Sequence, residues 1–172
     1  FRTLGVRGPG AVIGALAFML SPYSLDYAAR ISVILLPWVG LPWLIAFTVR
    51  ALRQGGWKYP ALIALAVQVI GSVNATALVF VGIAPLVWVP YAIWVLREVN
   101  LRRGLATVAR IGVLSITASL WWISGLWAQG SYGLDILKYT ETLKAVSRTS
   151  LPNEVLRGLG YWFFYGRDKL GS

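Results

Sequence analysis

"ISVILLPWVGLPWLIAFTV", residues 31–49, runs for nineteen residues without a charged side chain. A helix needs about 20 apolar residues, roughly 17–25, to cross the hydrocarbon of a bilayer. The stretch is therefore predicted to be a membrane span. Residues 77–96 and 105–128 are predicted to be full spans too. Residues 9–22 and 60–71 are apolar but shorter. Short segments that still cross are usual in proteins with water-filled cavities or broken helices. The expected fold is an all-α, polytopic transmembrane helix bundle over residues 1–128. Residues 129–172 are expected to form an outer loop with amphipathic helices and the start of a further membrane segment.

Composition agrees with this class. The 172-residue chain is 58% apolar, with a mean hydropathy of +0.68. Soluble domains are about 45–50% apolar. Nine tryptophans and eight tyrosines fit a protein with two bilayer interfaces. The absence of cysteine and histidine excludes disulfides, thiolate metal sites and imidazole catalysis. Acid–base work would fall to the six carboxylates: Asp26, Glu98, Asp135, Glu141, Glu154 and Asp168. The first residue is Phe1, no signal peptide precedes the first apolar run, and the chain is expected to be part of a larger polypeptide.

The net charge of +10 would point to nucleic acid in a soluble protein. In a membrane chain it follows from cytoplasmic loops that collect Lys and Arg, so nucleic acid is not an expected partner. Arg2, Arg7, Arg50, Arg53, Lys58, Arg97, Arg102, Arg103 and Arg110 fall on one side of the predicted spans, with Glu98 as the single acid. That side is expected to be cytoplasmic. Both spans that run inward from the outer side carry prolines five residues apart, Pro37 and Pro42, then Pro85 and Pro90. Proline removes a backbone hydrogen bond and kinks a helix. One reading is ordinary proline tolerated in membrane helices. The other is kinked helices lining a groove for a lipid tail.

Three outer segments are polar enough to build a site. In "SPYSLDYAARIS", Asp26 and Arg30 are four residues apart and can pair on a helix. Either they form a surface ion pair, or Arg30 reads an anionic ligand with Tyr23 or Tyr27 beside it. In "GSVNATA", Asn74 lies at a Gly-Ser break that frees backbone groups, which lipid cannot satisfy. In "DILKYTETLKAVSR", an amphipathic helix is predicted, with Ile136, Tyr139, Leu143 and Val146 on one stripe and Lys138, Glu141, Lys144 and Arg148 off it. Ser150 and Pro152 then open another helix. Glu154, Arg157 and Tyr161 share a face of it. Glu154 and Arg157 could equally be a solvated pair. Together these features ask for a ligand that is anionic, partly apolar and hydroxyl-rich, such as a polyprenyl-phosphate sugar.

"SPYSLDYAARISVILLPWVGLPW", "IGSVNATAL" and "SRTSLPNEVLRGLGYWFFYG" resemble the mycobacterial α-(1→3)-arabinofuranosyltransferases of the AftD type. The resemblance covers essentially the whole chain. It implies a GT-C glycosyltransferase of the plasma membrane, multi-pass, with an extracytoplasmic active site. It implies decaprenyl-phosphoryl-arabinofuranose as donor and the arabinan of arabinogalactan or lipoarabinomannan as acceptor. A β-linked donor and an α-linked product imply inversion, with one catalytic base. The base expected of the superfamily is an acid in the first outer loop after a first span. No stretch here matches that, so the base is expected upstream of Phe1, and no catalytic residue is assigned within this chain.

On this reading the donor-site candidates are Arg30, Arg157, Glu154, Glu141, Tyr23 and Asn74, with Lys144 and Arg148 in reserve. No cofactor is fixed by the sequence. A divalent cation is the candidate, although Glu141 and Glu154 supply too few ligands for Ca²⁺ by themselves. The bilayer and the rest of the polypeptide are the other expected partners. Two alternatives stand beside the enzyme: a transporter of lipid-linked sugars and a non-catalytic scaffold. A transporter would want a polar path through the membrane, and apart from Arg110 near the basic end the spans hold only Gln68 and a few Ser and Thr.

Overall fold

A computed structural model describes residues 1–30, 35–71, 75–132 and 152–156, with the side chains of 26, 29, 30, 75–81, 84, 154 and 155 left aside. Among the described residues every regular element is helical. After a 3₁₀ turn at Arg2–Leu4 come α1 (Pro9–Met19), α2 (Pro22–Arg30), α3 (Leu35–Gln54), α4 (Lys58–Gly71) and α5 (Ala75–Pro90). A π turn at Tyr91–Val95 leads to α6 (Leu101–Tyr132), and α7 (Pro152–Leu156) is the last described element. α3 packs on α4 and α5, and α4 packs on α6.

Among the described residues two helices, α3 and α6, are long and apolar enough to cross a membrane. Only 11% of the apolar window of α6 is buried, whereas a soluble core helix would be covered on most sides. Leu120, Trp121, Leu126 and Trp127 all lie exposed along it. A 32-residue helix is about 48 Å long, well beyond about 30 Å of hydrocarbon. The surplus explains why α6 extends four residues past each end of the apolar stretch read at 105–128.

The same reason moves most of the basic residues out of loops. Arg50 and Arg53 lie on the last turns of α3, Lys58 opens α4, and Arg102, Arg103 and Arg110 lie on α6. Arg7 and Arg97 lie in connections, Arg97 in the left-handed region at φ 52°, where a side chain is uncommon. The stretch read as one span at 77–96 is α5 continued by the π turn. Pro90 has no N–H to give. Beyond it the Leu96 N–H donates to the Tyr91 carbonyl at 3.0 Å, and the Glu98 N–H donates to Ala92 at 3.1 Å.

Two apolar clusters hold the helices. Leu44, Ile63, Val67, Ile70 and Ile111 join α3, α4 and α6. Leu52, Val89, Ala92 and Val99 join α3 to the end of α5. Small residues permit the close approach, as is usual where lipid offers no hydrophobic drive. A Cβ on Gly40 would overlap the Ile70 side chain, and one on Gly104 would lie 2.6 Å from Ile93 Cδ1. Buried hydroxyls bond back along their own helices, Thr48 to the Leu44 carbonyl at 2.7 Å and Thr107 to Arg103 at 2.9 Å.

One end of the bundle is tied by charge. Arg53 grips Glu98 with both Nε and Nη2, at 3.0 and 3.1 Å, and its Nη1 donates to the Thr3 carbonyl at 3.0 Å. Arg103 Nη2 donates to the Arg53 carbonyl at 2.7 Å. The basic 50–58 and 97–103 segments and the first residues thus meet at one end. The exposed ion pair is worth about 0–1 kcal/mol, so its role is alignment more than stability.

Candidate functional site

At the end opposite the arginine cluster, α1, α2 and α3 meet around Ser24. Ser21 sits before Pro22 and caps α2: its Oγ accepts from the Ser24 N–H at 3.4 Å. The Ser24 hydroxyl donates to the Phe18 carbonyl at 3.3 Å. It lies 3.0 Å from Ser21 Oγ and accepts from Trp38 Nε1 at 3.0 Å. With its one proton committed to Phe18, Ser24 accepts from Ser21 as well, so the hydroxyl is saturated. The link between Ser24 and Trp38 pins α2 to α3 across fourteen residues of chain.

Four rings follow from that pin. Phe18 and Trp38 stack with centroids 4.6 Å apart and planes 6° from parallel. Tyr23 leans on Trp38 at 5.0 Å, and Tyr27 on Tyr23 at 4.6 Å. Such pairs contribute about 0.5–1.5 kcal/mol each beyond burial. Tyr27 is buried, and Tyr23 is half-buried at the rim. Along α2 the helical register carries residues 23, 27 and 30 on one stripe. The backbone of Arg30 therefore ends the stripe that the two tyrosines begin. A rigid aromatic shelf, able to pack against a sugar ring or an isoprenoid, lies beside the position from which Arg30 extends.

Of the donor-site candidates, Tyr23 is the one whose contacts the structure gives. Arg30 and Glu154 are placed by backbone alone, on α2 and α7. Asn74, Glu141, Lys144, Arg148 and Arg157 lie outside the described residues. Sequence reasoning missed Trp38 and Ser24 as partners. It also left Gln68 unpaired. That amide donates to Ser119 Oγ at 2.8 Å and accepts from Trp121 Nε1 at 3.0 Å, joining α4 to α6. A lone Gln in an apolar run was the available cue. Bonds of this kind average about 0.6 kcal/mol between membrane helices. Among the described residues no three carboxylates come together.

The family model described as alpha-(1->3)-arabinofuranosyltransferase, N-terminal GT-C domain, matches residues 1–170. An alpha-(1->3)-arabinofuranosyltransferase of Mycobacterium tuberculosis (strain ATCC 25618 / H37Rv) is 33% identical over 166 residues, 94% of this chain. A protein of the same name from Mycolicibacterium smegmatis (strain ATCC 700084 / mc(2)155) is 31% identical over 168 residues, again 94% of this chain. The chain spans 11% of the length of each of these curated relatives. No solved structure matches it. With nearly every residue matched and all described elements helical, the chain belongs to the alpha-(1->3)-arabinofuranosyltransferase family and corresponds to part of its N-terminal GT-C domain.

Proposed function

We propose that this chain is a donor-side portion of the membrane core of an inverting arabinofuranosyltransferase. The whole enzyme would move arabinofuranose from decaprenyl-phosphoryl-arabinofuranose to the arabinan of arabinogalactan or lipoarabinomannan. The observation that carries this reading is the family match over residues 1–170. The aromatic shelf beside Arg30 supports it. In the reaction an acceptor hydroxyl would attack the anomeric carbon, a carboxylate of the whole enzyme would take its proton, and decaprenyl phosphate would leave. Inversion at one step needs one base. This chain would hold the departing phosphate with Arg30 and Arg157, whose planar guanidiniums match phosphate oxygens in pairs. Tyr23, kept in place by Trp38, would flank the sugar. Asn74 would offer an amide to its hydroxyls, and Lys144 and Arg148 would add positive charge.

The active face would be extracytoplasmic, in a multi-pass protein of the plasma membrane, with the arginine-rich end in the cytoplasm. A single cysteine at Ser131, exposed near the end of α6, is expected to react with an impermeant maleimide added outside intact cells. A cysteine at Arg102 is expected to react only after permeabilisation. Ser24 is unsuited to this test, because its hydroxyl is held by three partners. The opposite labelling pattern would reverse the orientation.

Glu141 and Glu154 would orient sugar hydroxyls or hold a divalent cation together with ligands from elsewhere in the polypeptide. In the full-length enzyme, Glu141→Gln or Glu154→Gln is expected to lower turnover at least tenfold, about 1.4 kcal/mol in the barrier. Expression and thermal stability should hardly change. Wild-type transfer in both variants would make the carboxylates structural partners of Arg157, Lys138 or Lys144.

A further inference from the structure

Of the cations at the arginine-rich end that the interhelical ties leave over, three stand over aromatic rings. Arg50 and Lys58 both stand over the Tyr59 ring, each 5.8 Å from its centroid. Arg110 stands over the Trp57 ring at 5.5 Å. The two rings are two residues apart where α4 begins. They are brought under the cations by a three-residue reversal in which Gly55 and Gly56 take φ of +72° and +74°, a conformation glycine adopts without strain. Glu98 cannot neutralise these cations, because both of its oxygens are engaged by Arg53. Among the described side chains it is the one carboxylate.

Depth decides what anion fits. Centring about 30 Å of hydrocarbon on the roughly 48 Å of α6 puts one boundary near Thr107, within a turn of Arg110. Arg50 lies about 6 Å back from the end of α3. Both guanidiniums therefore leave helices at the hydrocarbon edge and bend toward rim aromatics, as long cationic side chains do. Trp57 is 56% exposed and Val113, one turn beyond Arg110, 58% exposed. An anion reaching this place must bring apolar chains with it. A soluble acidic protein would meet the outermost arginines first.

We propose that Arg50, Lys58 and Arg110, mounted on Trp57 and Tyr59, form a binding site for the phosphate of an anionic glycerophospholipid, whose acyl chains lie along the exposed faces of α3 and α6. The site is at the far end of the bundle from the aromatic shelf. It stands whether or not the donor assignment above holds. Three cations near a membrane surface contribute about 1 kcal/mol each, which corresponds to roughly a hundredfold in affinity.

The test uses the full-length protein in nanodiscs and in detergent. Native mass spectrometry of detergent-solubilised protein titrated with phosphatidylglycerol is expected to show a retained lipid that phosphatidylcholine does not replace. The Arg50→Gln/Lys58→Gln/Arg110→Gln variant should bind phosphatidylglycerol roughly a hundredfold more weakly. Arg50→Lys/Arg110→Lys should keep most of the binding, which separates loss of charge from misfolding. Donor KM, read in parallel in nanodiscs, should not change. Equal retention of the two lipids would overturn the proposal. So would unchanged binding in the Gln variant, displacement of the lipid by millimolar inorganic phosphate, or occupation of the site by a soluble acidic protein in place of lipid.

Discussion

Arg30→Ala in the full-length enzyme is expected to raise the donor KM by roughly ten- to a hundredfold. A hydrogen bond to a charged group contributes about 1.5–3 kcal/mol, and each 1.4 kcal/mol is about a factor of ten. Arg30 follows Tyr23 and Tyr27 on the stripe of α2 that meets Trp38, so a phosphate beside the shelf would lie within its reach. Arg157→Ala should act in the same direction. Arg30→Lys should recover only part of the loss, since an ammonium has no planar fork for two phosphate oxygens. Substrate kinetics with the lipid-linked donor at saturating acceptor read this directly. An unchanged donor KM in both Ala variants would remove the phosphate role from this chain.

Trp38→Ala should have the largest effect on stability. The side chain stacks on Phe18, supports Tyr23 and donates to Ser24. Full truncation of a buried Trp costs about 3–5 kcal/mol. Trp38 is half-buried, so about 2–3 kcal/mol is expected on the same basis. Trp38→Phe keeps the stack and loses the hydrogen bond, at about 1 kcal/mol. The Ala variant should therefore melt well below the Phe variant in detergent, and its α1–α2 turn should become sensitive to protease. Equal melting of the two variants would mean that the shelf does not hold α1 and α2 on α3.

The helical character of the chain was legible because apolar segments near membrane length admit few other structures. The ends of the helices were not. Hydropathy marks the hydrocarbon, whereas α3 and α6 continue into the polar zone and carry Arg50, Arg53, Arg102 and Arg103 with them. Asn100, whose Oδ1 accepts from the Arg103 N–H at 2.9 Å, caps α6 and was a readable start. The π turn after Pro90 depends on how backbone groups re-pair once a proline has removed a donor, which no periodicity records. In the site, Tyr23 stood out by its neighbours in sequence. Its support by Trp38 did not, because the sequence does not record which face of α3 meets α2. The partners of Gln68 are more than fifty residues away along the chain.

The most direct test is transfer itself. Liposomes carrying the full-length protein would be given radiolabelled decaprenyl-phosphoryl-arabinofuranose and a synthetic arabinan acceptor on the face bearing residue 131. The expected result is arabinose joined to the acceptor in α linkage, with decaprenyl phosphate released in equal amount. Arg30→Ala should show the same product at a higher donor requirement. Movement of intact donor to the opposite leaflet with no labelled acceptor would contradict the account and identify a transporter.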